Sequence, residues 1–347
     1  MLRVHLSNAF GTTALHLTDV HIAAAASASS SAIASASDRT LTFHGATSVT
    51  IPPGAEYLSD PVQFTAASLS NLAVSLHFDT LPERQTGHPG SRATSYLVHG
   101  NFASSADLPS ARKIEHWYIL SAVDVAGRAG TFAVVTLGDS ITDGHGAGTD
   151  KNERWPDVLA QRLQESKATR NVGVLNQGIG GNHMLTDGLG PNVLARFDRD
   201  VLAQTGVRIV ILLEAVNDIG ALSRDNVTDL GKHQALVERI IGSYEQVVAR
   251  AHDRGIKVIG ATITPFTGSD YYHPGPLTEA DRQQLNAWIR TPGNFDAVID
   301  FDKVVADPKQ PSCLLPEYDC GDHLHPSPAG YKAMGAAILL QLLTPLD

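Results

Sequence analysis

The sequence predicts an α/β protein: a doubly wound parallel five-stranded sheet, preceded by an all-β sandwich domain. Three observations carry this. From about residue 132, short continuous apolar runs alternate with segments of helical spacing, the pattern of strands covered on both faces by helices. Residues 2 to about 125 show period-2 apolar alternation, frequent turn clusters and no convincing helix. Between the two lies Ala126-Gly-Arg-Ala-Gly130, with the composition of a linker. The expected domains are 1–125 and 131–347.

In the first domain, Leu2, Val4 and Leu6 alternate with polar residues, as do Leu15 and Leu17, then Val20 and Ile22. Leu72, Val74, Leu76 and Phe78 form the clearest period-2 run. Thr94 to Val98 and Trp117 to Val125 add further strands. Ile51-Pro-Pro-Gly, Asp60-Pro61 and His88-Pro-Gly supply turns. The Ala/Ser tract from Ala23 to Ser37 lacks an apolar stripe and reads as a surface loop.

In the second domain the strand candidates are Phe132 to Leu137, Gly173 to Asn176, Val207 to Leu213, Lys257 to Ile263 and Ala297 to Phe301. A helix starts near Trp155, with Pro156 suited to its first turn. Another covers Val193 to Ala203. A long one carries Leu236, Ile240, Tyr244 and Val247 and stops before Gly255. Thr278 with Asp281 has the spacing of a capping box ahead of Leu285 and Ile289. The last helix runs from about Ser327 to Leu343.

Composition narrows the function. The chain of 347 residues is 43% apolar, enough for two cores. Its formal charge is −10 with no basic cluster, which argues against nucleic acid or an anionic membrane as partner. No apolar run reaches membrane-span length. The chain opens directly in a strand pattern without a signal peptide, so the expectation is that the native product starts earlier. Cys313 and Cys320 match no zinc pattern. Two readings stay open: two reduced thiols, or one disulfide closing a short loop. A bridge would steady the segment that follows and would place the protein in an oxidising compartment. Secreted or periplasmic is the expectation, with cytoplasmic as the alternative. Oligomeric state is not legible.

Four stretches at strand ends could do chemistry. Gly138-Asp-Ser140 ends the first strand of the second domain, where a serine can be lifted into a cleft or can simply cap a helix. The surround is not Gly-x-Ser-x-Gly, which disfavours an ordinary α/β-hydrolase elbow. Asn176-Gln-Gly-Ile-Gly-Gly-Asn182 follows the second strand. It can turn backbone N–H groups toward a ligand, or be a plain glycine turn, and no Gly-Lys-Ser/Thr marks a phosphate loop. Glu214-Ala-Val-Asn-Asp218 ends the third strand and offers a carboxylate and an amide, or an Asx turn. Asp322-His-Leu-His325 precedes the last helix and could supply a base with its orienter. His323 and His325 lack the acidic or thiolate set that a metal site needs, so no metal is expected.

In this order the four stretches resemble the SGNH, or GDSL-type, esterase superfamily, whose catalytic fold is a flavodoxin-like sheet. The match spans roughly 132 to 345: Gly138-Asp139-Ser140-Ile141, then Gly181, then Asn217, then Asp322 with His325. The third block departs from the family pattern, with Ala215 where glycine is usual. The resemblance implies Ser140, His325 and Asp322 as catalytic residues, an oxyanion hole from the N–H groups of Ser140 and Gly181 with the Asn217 amide, and no cofactor. Leu2-Arg-Val-His-Leu-Ser-Asn-Ala-Phe-Gly11 and Ser59-Asp-Pro-Val62 are similar to the jelly-roll-like domain that precedes the catalytic domain in some arylesterase and acetylxylan-esterase-like members. The expected activity is hydrolysis of carboxylic esters, with acetylated carbohydrate or short-chain and aryl esters first. A lipase or thioesterase on long acyl chains, or an inactive carbohydrate-binding module, are the alternatives.

Overall fold

The computed structural model describes residues 1–344. They form two compact units: Met1–Gly127 together with Thr149–Lys151, and the rest of the chain from Arg128.

The first unit is β-rich and its strand pairings are antiparallel. Leu2–Ser7 is flanked by Leu120–Val125 and Glu56–Leu58. The ten-residue strand Leu15–Ala24 pairs with Arg39–Thr40, Val49–Ile51 and Leu72–Phe78. Period-2 alternation sends Val4, Leu6, Leu15, Leu17, Val20 and Ile22 into one apolar core. Two short ribbons complete the unit, Gly87–Pro89 with His116–Tyr118 and Ser95–Leu97 with Arg112–Ile114. The expected strand Trp117 to Val125 is broken at Ile119, whose backbone is left-handed (φ 65°).

The second unit holds five parallel strands: β1 (Phe132–Gly138), β2 (Val172–Gly178), β3 (Val207–Leu213), β4 (Lys257–Ala261) and β5 (Ala297–Ile299), in the order β2-β1-β3-β4-β5. All of β1 and the last five residues of β3 are buried, which is why their sequences are apolar without alternation. Among the described residues six α-helices lie between these strands, α1 (Ser140–Asp143), α2 (Trp155–Glu165), α3 (Val193–Phe197), α4 (Val216–Arg224), α5 (Leu230–His252) and α6 (Pro276–Arg290), and two follow the last strand, α7 (Phe301–Val305) and α8 (Pro328–Ala337). Trp155, Leu159 and Leu163 of α2 share one face and are wholly buried. A side chain of that size stabilises by about 2–3 kcal/mol when removed from water. No helix among the described residues is long and apolar enough to cross a membrane.

Register matters most for the site. Gly138 at the end of β1 pairs with Gly178 on β2 and with Leu213 on β3. Three carboxyl ends therefore finish level, at the point where strand order reverses. Open α/β sheets bind their ligands there.

Three helical expectations need correction. The last helix, expected from about Ser327 to Leu343, ends at Ala337, where Ile338 turns extended, and a separate 3-10 turn covers Leu340–Leu343. Thr278 and Asp281 are not a capping box: α6 begins two residues earlier, at Pro276 behind Gly275. Both side chains instead face neighbouring helices, Thr278 bonding Ser223 and Asp281 bonding His233. The helix expected over Val193 to Ala203 stops at Phe197 and continues as a π-turn through Leu202.

Candidate active site

Ser140 is the first residue of α1, two residues past the end of β1. Its turn is tight. A Cβ on Gly138 would lie 2.4 Å from both Leu213 O and Thr142 Oγ1, so only glycine fits. The helix cap is Asp139, whose carboxylate accepts from the Ile141 N–H at 2.8 Å. Ser140 is thus free of the capping role that the sequence left open for it. Its Oγ donates to His325 Nε2 at 2.7 Å.

His325 in turn meets Asp322 Oδ2 through Nδ1 at 2.6 Å. A carboxylate only accepts, so the proton sits on Nδ1 and the Nε2 lone pair faces the serine. Burial alone would raise the Asp322 carboxyl. The hydrogen bonds and charge of His325, with the Leu324 N–H, outweigh it and hold the group well below the usual carboxylate range. Asp322 Oδ1 also accepts the N–H groups of Leu324 and His325. Asp319 does the same for Gly321 and His323. Two Asx-type turns therefore shape this loop. Cys313 and Cys320 are free thiols, so the disulfide reading is corrected: the loop is held by carboxylate-to-backbone bonds rather than by sulfur. Burial first, and then the carboxylates of Asp322 and Asp319, push the Cys320 thiol up to about 11. The exposed His323 ring bonds Asp319 at 2.5 Å, and it is His325 that reaches Ser140.

Asn217 lies in the first turn of α4. Its Nδ2 donates to Asn182 O at 2.6 Å, next to Gly181, and its Oδ1 accepts from the Tyr272 hydroxyl. Asp218 accepts the N–H groups of Met184 and Leu185, so α4 holds the 182–185 loop at two points. Gly181 itself is left-handed (φ 68°). The wholly buried Arg196 ties this loop to the serine turn. Its guanidinium donates to Gly138 O, Gln177 O, Asn182 Oδ1 and Asp200 Oδ2 at 2.7–3.0 Å.

Ala215 precedes α4 at φ 103°, ψ −5°, a region where a side chain is strained. The glycine usual at this position meets a backbone demand. Replacing buried alanine by glycine ordinarily destabilises by about 1 kcal/mol. Ala215→Gly is expected to cost nothing, or to stabilise by up to about 1 kcal/mol, because relief of strain offsets the added freedom of the unfolded chain. A drop in Tm of several degrees would contradict this.

Three buried acids sit beneath the serine. Burial pushes Asp139 up to about 7, with the charges of Asp218 and Asp143 adding to it against the Ile141 N–H and Arg196. Burial likewise lifts Asp218 to about 6. Glu214 is driven well above the ordinary range by burial first, then by the charges of Asp139 and Asp218. An acid whose folded-state pKa is raised favours the neutral form. Its contribution to stability is full below the unfolded value and is lost as pH rises through the folded one. Melting temperature should therefore fall from about pH 5 to pH 8. Glu214→Gln, which fixes the neutral shape, should melt several degrees above the parent at pH 8 and near it at pH 5. Parallel Tm–pH curves for the two proteins would refute the assignment.

Among the described residues, two groups have the chemistry of metal ligands: His145 with Asp322 and His325, and Asp319 with Cys320 and Asp322. The His145 ring lies over His325, centroids 4.1 Å apart. A metal at the first group would take His325 nitrogens already engaged by Ser140 and Asp322, so it would compete with the hydrogen-bonded line.

The hydrogen-bonded line Ser140–His325–Asp322 thus lies at the switch point of a five-stranded parallel sheet, with the serine and histidine buried and the aspartate partly exposed. The chain belongs to the GDSL-like lipase/acylhydrolase family, which matches residues 136–333, and is a carboxylesterase by class. Similar solved structures include a GDSL-like lipase from Bacteroides thetaiotaomicron VPI-5482 (21% identity, 59% of this chain and 84% of that one, TM-score 0.44). Others are an acetylxylan esterase from Geobacillus stearothermophilus (19%, 60% and 93%, 0.45) and an aryl esterase of M. smegmatis in an inhibitor-bound form (17%, 62% and 100%, 0.46). No curated protein matches the chain.

Sequence reasoning had missed Arg196 and Tyr272. An arginine on a helix ordinarily marks a solvated face. Tyr272 lies 55 residues from its partner, beyond any local pattern.

Proposed function

We propose that the chain hydrolyses short-chain carboxylic esters, removing acetyl groups from carbohydrate or cleaving aryl esters. The reading is carried by the Ser140–His325–Asp322 hydrogen-bonded line. Ser140 Oγ attacks the ester carbonyl as His325 Nε2 takes its proton. Asp322 keeps the imidazole in its tautomer and stabilises the imidazolium. The oxyanion is received by the N–H groups of Ser140 and Gly181 and by the second Nδ2 hydrogen of Asn217. Each such donor is typically worth about 3 kcal/mol in the transition state. His325 then protonates the leaving alcohol, and water, activated by the same imidazole, releases the acid.

The first unit acts in this reading as an accessory domain of jelly-roll type. The segment Phe266 to Pro276 supports a short acyl group. Phe266 and Tyr272 are buried against each other, Tyr271 is its one exposed large hydrophobic side chain, and its remaining residues are mostly small or polar, so it offers little apolar surface to a long chain.

A series of p-nitrophenyl esters from acetate to palmitate, run beside acetylated xylan, tests the substrate. The expected result is kcat/KM at least about 100-fold higher for acetate than for palmitate, since each unaccommodated stretch of chain loses binding, with acetate released from the polysaccharide. A preference for palmitate would move the protein to the lipases. Hydrolysis of the small esters without release from xylan would leave the aryl-ester reading.

A further inference from the structure

The residue that controls Asn217 comes from the segment between β4 and α6. Tyr272 is 3% exposed, and its hydroxyl lies 2.6 Å from Asn217 Oδ1. The direction of that bond is fixed from the other side of the amide. Asn217 meets the backbone carbonyl of Asn182 at 2.6 Å. A carbonyl only accepts, so Nδ2 must face it and Oδ1 must face the phenol, which therefore donates. Tyr272 also has the chemistry of a constant donor. Burial first, and the neighbouring Tyr271 second, push its phenol far above the usual value, so it keeps its proton throughout the working range.

The ring has been given room. It lies on α4 directly above Gly220, where a Cβ would fall 2.6 Å from Tyr272 Cγ. Phe266 and Tyr271 meet it edge-on, and the Arg224 guanidinium lies 5.8 Å from its centre. Glycine at this helical position is otherwise unfavourable, and the close approach of the ring accounts for it.

We propose that Tyr272 is a positioning residue for ester hydrolysis, holding the Asn217 amide in one orientation and polarising it so that its second Nδ2 hydrogen meets the oxyanion. The proposal rests on the reading of Asn217 as an oxyanion donor. A hydrogen bond into Oδ1 draws electron density from the amide nitrogen, and chained bonds strengthen one another in a site of low dielectric. A stronger Nδ2 donor gains most when the carbonyl oxygen becomes an anion. The effect therefore belongs in kcat and not in KM.

The test compares Tyr272→Phe, Gly220→Ala, Asn217→Ala and the double variant Tyr272→Phe/Asn217→Ala. Each is measured for kcat and KM on p-nitrophenyl acetate and for inhibition by phenylboronic acid, which forms a tetrahedral adduct with a serine. Tyr272→Phe is expected to lower kcat about 10- to 50-fold with KM within about twofold, and to weaken boronate inhibition similarly. Gly220→Ala keeps the hydroxyl but displaces the ring, and should shift kcat in the same direction. It carries the test if the phenylalanine variant does not fold. In the double variant the tyrosine effect should vanish, because the amide it serves is gone. Parent-like kcat in Tyr272→Phe, a loss borne by KM, or losses that multiply in the double variant would each overturn the proposal while leaving Asn217 a donor. Parent-like kcat in Asn217→Ala would overturn the donor reading itself, and the role of Tyr272 with it.

Discussion

Ser140→Ala is expected to lower kcat by about four orders of magnitude or more while Tm stays within about 2 °C of the parent. The two halves of this result have separate causes. Loss of activity follows from loss of the nucleophile: without Oγ, His325 has nothing to activate, and only binding and oxyanion donors remain. Retention of stability follows from what Ser140 does not do. The cap of α1 is Asp139, and the Oγ hydrogen bond goes to His325 Nε2, which a water molecule in the space left by the hydroxyl can satisfy. A structural serine would show the opposite pattern, with activity falling only as far as folding does. Measuring kcat on p-nitrophenyl acetate beside thermal melting separates the two. Activity within tenfold of the parent would end the serine mechanism proposed here.

The sheet was legible because each strand is a short apolar run closed by a polar or glycine turn. Val207–Leu213 emerges with the boundaries its sequence suggested. Ser140, Asn217, Asp322 and His325 were legible because they follow strand ends or precede a helix at short, fixed spacing. What stayed hidden depends on side chains meeting across long sequence separations. Thr278 and Asp281 have the spacing of a capping box, but Gly275-Pro276 starts the helix first, and tertiary partners claim both side chains. Cys313 and Cys320 suggested a bridge because the loop between Asp319 and His325 needed restraint. The restraint comes from Asp319 and Asp322, whose carboxylates bind four backbone N–H groups. The departure at Ala215 was visible as a missing glycine, but its meaning is a dihedral angle, which no pattern of residue types displays.

Arg196→Met should strongly destabilise the catalytic unit, lowering stability by about 3–5 kcal/mol and abolishing activity even in the fraction that remains folded. The guanidinium is completely buried, and each of its five N–H groups has an acceptor: Gly138 O, Gln177 O and Asp200 Oδ2 once each, and Asn182 Oδ1 twice. Methionine fills much of the volume and supplies none of the donors. Two backbone carbonyls, one amide oxygen and one carboxylate lose this donor in a site that already holds Glu214, Asp139 and Asp218; Gly138 O keeps the Ile179 N–H and Asp200 keeps Arg199. The penalty is the desolvation of what remains, which exceeds the net worth of the bonds removed. Arg196→Lys should fall between parent and methionine, because one ammonium can neutralise Asp200 but cannot span acceptors on three segments. If the main term is the Asp200 carboxylate, left with the partly exposed Arg199 alone, Asp200→Asn placed in the Arg196→Met background should recover part of the stability without recovering kcat, since Gly138 and Asn182 would still lack their common donor. A methionine variant that melts with the parent and retains its turnover would show that Ile179–Asn182 and the serine turn keep their geometry without the arginine.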